Sequence, residues 1–78
     1  MKNNRQHKLT EKQERFCRLY LDTDGNASEA YRMAYDTTKM QPSTVYQCSS
    51  ELMNNPKITQ RIDELRAERR EATEAQQF

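Results

Sequence analysis

The chain has 78 residues, of which 33% are hydrophobic, against roughly 45–50% in an average globular domain counted with glycine. That allows one small domain with a thin core and implies that one or both ends are loosely held. The net charge is only +1, and no apolar run is long enough for a signal peptide or a membrane span, which excludes both.

The charge is unevenly spread. Residues 1–18 hold six Lys/Arg against Glu11 and Glu14, a local net of +4. Residues 19–56 hold Arg32 and Lys39 against five acids, a net of −3, and residues 57–78 balance five against five. The basic segment 1–8 has no periodicity and reads as a flexible arm. Two readings of it stand side by side: a solvated tail, or a contact to phosphate.

In chain order, Thr10 with Gln13 has the spacing of a capping box, and a helix is predicted over 10–22. Its inward face is Phe16, Leu19 and Tyr20, with Leu9 as a staple before the cap. Asp22-Thr23-Asp24-Gly25 ends it, with the single glycine of the chain among turn formers. Asn26 with Glu29 reads as a second capping box for a helix over 26–35. Ala27, Ala30, Tyr31, Ala34 and Tyr35 fall at i, i+3, i+4, i+7 and i+8 on one face. Three alanines on that face let a neighbouring helix come close, as the two helices of a helix-turn-helix require.

Asp36–Gln41 reads as a connection, and Pro42 suits the first position of a third helix over 42–54. Val45, Cys48, Ser49 and Leu52 form its inner face. Ser43, Gln47, Ser50, Glu51 and Asn54 form its outer face, with Thr44 and Tyr46 on the flanks. The residue before Pro56 disfavours the α conformation and ends this helix. Asn55 and Pro56 then open a fourth, over 56–72, with Ile58, Ile62 and Leu65 as its apolar stripe. Past Leu65 helix propensity stays high while the stripe ends. Pairs such as Asp63/Arg66 and Arg70/Glu74 support that tail, which reads as a frayed end or as the start of an oligomerisation element. Cys17 and Cys48 read as reduced, semi-buried cysteines of a cytoplasmic protein.

Enzymatic readings lack materials. A phosphate-cradling loop needs several glycines. His7, the lone histidine, lies in the arm, so no Ser–His or Cys–His pair has a rigid scaffold. No metal-spacing motif is present, and no cofactor is expected. The outer face of the third helix offers hydroxyls and an amide that can hydrogen-bond base edges, and glutamine can pair two-pronged with adenine. The rival reading is a plain solvent face, which nearly every amphipathic helix has. A basic arm beside a helix in the major groove is the homeodomain arrangement and favours DNA. The candidate DNA contacts are Lys2, Arg5, Lys8, Lys12, Arg32, Lys39, Ser43, Thr44, Gln47 and Ser50.

Four blocks in sequence resemble the phage terminase small subunits. Leu9-Thr10-Glu11-Lys12-Gln13 with Phe16-Cys17 and Tyr20-Leu21 resembles that family's opening. Asn26-Ala27-Ser28-Glu29-Ala30-Tyr31-Arg32-Met33-Ala34-Tyr35 resembles its next block. Ser43-Thr44-Val45, and Leu52-Met53-Asn54-Asn55-Pro56-Lys57-Ile58 with Ile62, continue it. Two departures stand out: the family often has glycine at the place of Ala34, and its following turn is shorter than Asp36–Gln41. The resemblance implies an all-α bundle of about four helices, with the second and third forming a helix-turn-helix. Residues 1–8 would be the arm, 9–65 the DNA-binding domain and 66–78 the charged helical tail. It further implies a non-enzymatic protein of the bacterial host's cytoplasm that recognises the packaging site on double-stranded viral DNA. Its other partners would be the terminase large subunit, which holds the ATPase and nuclease, and further copies of itself. A helix-turn-helix transcription regulator and a protein-interaction module docking through its last helix are the alternatives.

Overall fold

A computed structural model describes the backbone of residues 9–75 and the side chains of residues 9–72. Four helices follow one another: α1 (Glu11–Asp22), α2 (Ala27–Ala34), α3 (Pro42–Met53) and α4 (Pro56–Ala75). No strand occurs among the described residues. The described residues form an all-α bundle of four helices.

Each helix starts where local chemistry supplies a partner for its free N–H groups. The Gln13 N–H donates to Thr10 Oγ1 at 3.1 Å, and the Thr10 N–H donates back to Gln13 Oε1 at 3.0 Å. Asn26 Oδ1 accepts from the Glu29 N–H at 3.0 Å. Only this forward half of the expected second box forms. Asn55 Oδ1 accepts from the Lys57 N–H at 3.0 Å at the start of α4. α3 differs. It opens on Pro42, and the residue before it, Gln41, makes no side-chain cap bond.

The helix ends are equally local. Past α1 the Gly25 N–H donates to the Tyr20 carbonyl at 2.8 Å and the Asp24 N–H to the Leu21 carbonyl at 3.2 Å. This is a Schellman pattern. It places Asp24 at φ 62° and Gly25 at φ 86°, a region glycine enters without strain. The connection from Tyr35 to Gln41 is held by an Asx turn. Asp36 Oδ1 accepts from the Thr38 N–H at 3.0 Å and from its hydroxyl at 2.7 Å.

The core joins three helices: Phe16 and Cys17 of α1, Ala30 and Ala34 of α2, and Ile58, Ile62 and Leu65 of α4. α3 adds none of its fully buried residues to this cluster but packs Leu52 and Met53 against it. It packs on α2 and touches α4, and buries Val45 and Ser49. α1 contacts both α2 and α4 but not α3 among the described residues. Being gripped from two sides widens the buried arc of α1. Cys17, expected to be semi-buried, is therefore 0% exposed, with its thiol 3.7 Å from the Ile58 carbonyl. Burial pushes that thiol up to about 11. Cys48 is half-buried, and both cysteines are free.

Candidate nucleic-acid interface

Because α3 is attached by one face only, its opposite face is open. Ser43, Thr44 and Gln47 are exposed, Ser50 is half-buried and Asn54 is exposed. Ser43, Gln47, Ser50 and Asn54 stand at i, i+4, i+7 and i+11, which aligns them on one stripe. Asn54, on the outer face of the third helix by its spacing, joins Ser43, Thr44, Gln47 and Ser50 as a further candidate contact. Continuing the same spacing beyond Ser50 reaches it. Tyr46 flanks the stripe and is 67% exposed. On that side a shallow groove runs between α3 and the first turn of α2, lined in part by Asn26, Ala27, Ser28, Tyr46, Ser50 and Asn54.

The other flank is built differently. Glu51 lines a cleft with Tyr31, Tyr35, Cys48, Leu52 and Asn55. The two tyrosine rings stack at 4.4 Å between centroids and 17° between planes. Burial holds both hydroxyls above their ordinary range, with the neighbouring Cys48 adding to the effect at Tyr31. Both rings pack against the core, so they are structural residues, as their place on the apolar face of α2 predicts.

The first turn of α3 contains no acid and no side-chain cap. Its N–H groups and the positive end of its helix dipole are thus turned toward solvent, the arrangement that accepts anionic oxygens.

The cations sort into two groups. On the α1–α4 side Arg18, Arg61, Arg66 and Arg69 are paired with carboxylates, while Arg15 and Lys57 form no ion pair among the described residues. Arg61, 13% exposed in its side chain, meets Glu14 at 2.9 Å and Glu64 at 3.0 Å. Arg18 meets Glu14 at 3.0 Å, and Arg69 meets Asp22 at 2.8 Å. The expected Asp63/Arg66 pair forms at 3.3 Å. Lys12, Arg32 and Lys39 are exposed and form no ion pair among the described residues. The Lys12 ammonium stands 5.8 Å from the centre of the Tyr35 ring. Its charge adds to the Thr38 hydrogen bonds that hold the Asp36 carboxyl below its ordinary range. Lys12 is thereby brought from α1 to the connection that carries Lys39 and leads into α3. Lys2, Arg5 and Lys8 lie outside the described residues. So does the side chain of Glu74, and with it the expected Arg70/Glu74 pair.

Among the described residues no three His, Cys, Asp or Glu side chains are grouped to hold a metal ion. Among the same residues no helix is long and apolar enough to cross a membrane.

The family model for the terminase small subunit matches residues 9–77. The chain is also similar to an uncharacterized protein of Haemophilus influenzae, with 56% identity over 59 residues. The match covers 74% of this chain and 34% of that protein, so the chain spans about a third of its relative's length. No solved structure matches it.

Proposed function

The chain belongs to the terminase small subunit family, and from that premise we propose that it is the DNA-recognising module of a phage packaging machine. In this reading α3 enters the major groove and its outer stripe meets base edges. Lys12, Arg32, Lys39 and the arm residues Lys2, Arg5 and Lys8 meet phosphate. α2 and α3 act as a helix-turn-helix whose connection, Tyr35–Gln41, is longer than the usual 3–4-residue turn. The Asx turn at Asp36 gives that longer loop a fixed shape.

The observation that carries the proposal is the open, uncharged hydrogen-bonding stripe of α3, in a fold that leaves several exposed cations without a carboxylate partner among the described residues. Arg18, Arg61 and Arg69 are paired with carboxylates inside the fold, while Lys12, Arg32 and Lys39 hold no carboxylate among the described residues. α3 meanwhile turns uncharged hydrogen-bonding groups outward. The module itself performs no catalysis. It marks viral DNA for a large subunit with ATPase and nuclease activity and acts, in the host cytoplasm, with further copies of itself.

The test is a salt titration of duplex DNA binding by the wild-type chain and by Lys12→Ala/Arg32→Ala/Lys39→Ala. For each phosphate the variant no longer touches, the slope of log K against log salt should fall by about 0.9. An unchanged slope would remove these three residues from the interface. Absence of any salt-dependent DNA binding would favour the second reading, a protein-docking module using α4. That reading draws on the exposure of every α4 side chain from Arg66 to Ala72.

A further inference from the structure

The α3 stripe is selective in what it lacks. Between Pro42 and Met53 the only charged residue is Glu51, and Glu51 faces the tyrosine cleft on one flank. The common reader of guanine is an arginine or lysine that donates twice to its O6 and N7, and α3 has neither. It has the amide of Gln47 instead, and a second amide, Asn54, stands at its C-cap. Elsewhere in the bundle Gln13, Asn26 and Asn55 use their side chains as helix caps. Gln47 and Asn54 hold no hydrogen bond through their side chains within the described residues, and both are exposed on the same stripe.

A carboxamide donates one hydrogen bond and accepts another side by side. In the major groove adenine offers the matching pair, an N7 acceptor beside an N6 donor. Thr44, exposed on the flank, carries a methyl group suited to the methyl of the paired thymine. We infer that α3 is an adenine reader, with one A·T pair facing Gln47 and a second facing Asn54. Seven residues of helix separate the two amides by about 10 Å, or about three base-pair steps of about 3.4 Å. This rests on the reading of α3 as the base-contacting helix and adds the base that it selects.

The experiment is selection of bound duplexes from a random library by the full chain and by Gln47→Ala, followed by sequencing. Fluorescence anisotropy then uses the selected duplex and copies in which one adenine at a time is replaced by 7-deazaadenine, which pairs normally but lacks N7. The expected result is two enriched A·T positions about three pairs apart, one of them no longer enriched with Gln47→Ala. 7-Deazaadenine at that position should weaken the wild type about fivefold or more and leave Gln47→Ala unaffected. A selected site with G·C at these positions, or no effect of 7-deazaadenine on the wild type, overturns the adenine assignment while DNA recognition by the chain stands. No enriched sequence at all overturns base reading by α3, and the adenine assignment with it. Since the modified base changes the DNA and not the protein, the outcome does not depend on the folding of a variant.

Discussion

Glu14 accepts hydrogen bonds from Arg61 through both Nε and Nη2 and from Arg18 through Nε. The Arg61 guanidinium, first among these, holds its carboxyl below the ordinary value of 4.5. A group lowered in the folded state contributes stability that is present above its unfolded pKa and lost as pH falls through the folded one. Glu14→Gln keeps the shape and removes the charge, leaving a mostly buried guanidinium short of a partner. It should cost about 1–3 kcal/mol near neutral pH. The gap to wild type should close as pH falls below the ordinary value of 4.5. Urea melts of both proteins at a series of pH values from neutral into the acid range measure it, and a gap constant with pH would mean that Glu14 is not held ionised by the fold. Nothing in the sequence announces this pair, because its partners stand 47 residues apart and each has nearer oppositely charged neighbours. The buried apolar residues are easier to read: Phe16, Val45, Ile58, Ile62 and Leu65 follow from periodicity alone. Cys17 does not, because only the arrival of α4 beside α1 encloses it.

α2 lies between α1 and α3 and packs on both. It is also short, from Ala27 to Ala34, so its packing rests on few residues. Ala30 is 0% exposed. Ala30→Leu would force a larger side chain into a filled space and should cost about 1–3 kcal/mol, read as a lower melting temperature. A variant as stable as wild type would mean that the α1–α2 contact can open at no cost. At this scale the sequence is most legible. The expected ranges 10–22, 26–35 and 42–54 end within one residue of α1, α2 and α3, because caps, prolines and the apolar period all act locally. α4 runs to Ala75 rather than 72, as strong helix formers continue past the last core residue. The stripe on α3 is legible as a face, yet whether a polar face meets solvent or DNA is a question about a partner. Periodicity cannot answer it.

At the scale of the whole molecule, α4 is a helix of which only the first half is packed. Leu65 is its last buried residue among those described, and the ten residues from there to Ala75 span about 15 Å. Arg69 meets Asp22 at 2.8 Å from exposed positions, where a pair contributes up to about 1 kcal/mol. Asp22→Asn should therefore lower global stability by less than about 1 kcal/mol. It should speed hydrogen exchange in α4 beyond Leu65, and unchanged exchange there would show that this bridge does not steady the helix. The two long-range bridges, Glu14–Arg61 and Asp22–Arg69, share one offset of 47 residues, which means that α1 and α4 run in the same direction. Eight residues, about 12 Å, separate the two anchor points along each helix. The two bridges thus set the bearing of α4 against α1 as the bundle folds. Whatever is joined to its last turn is aimed along that bearing from the outset.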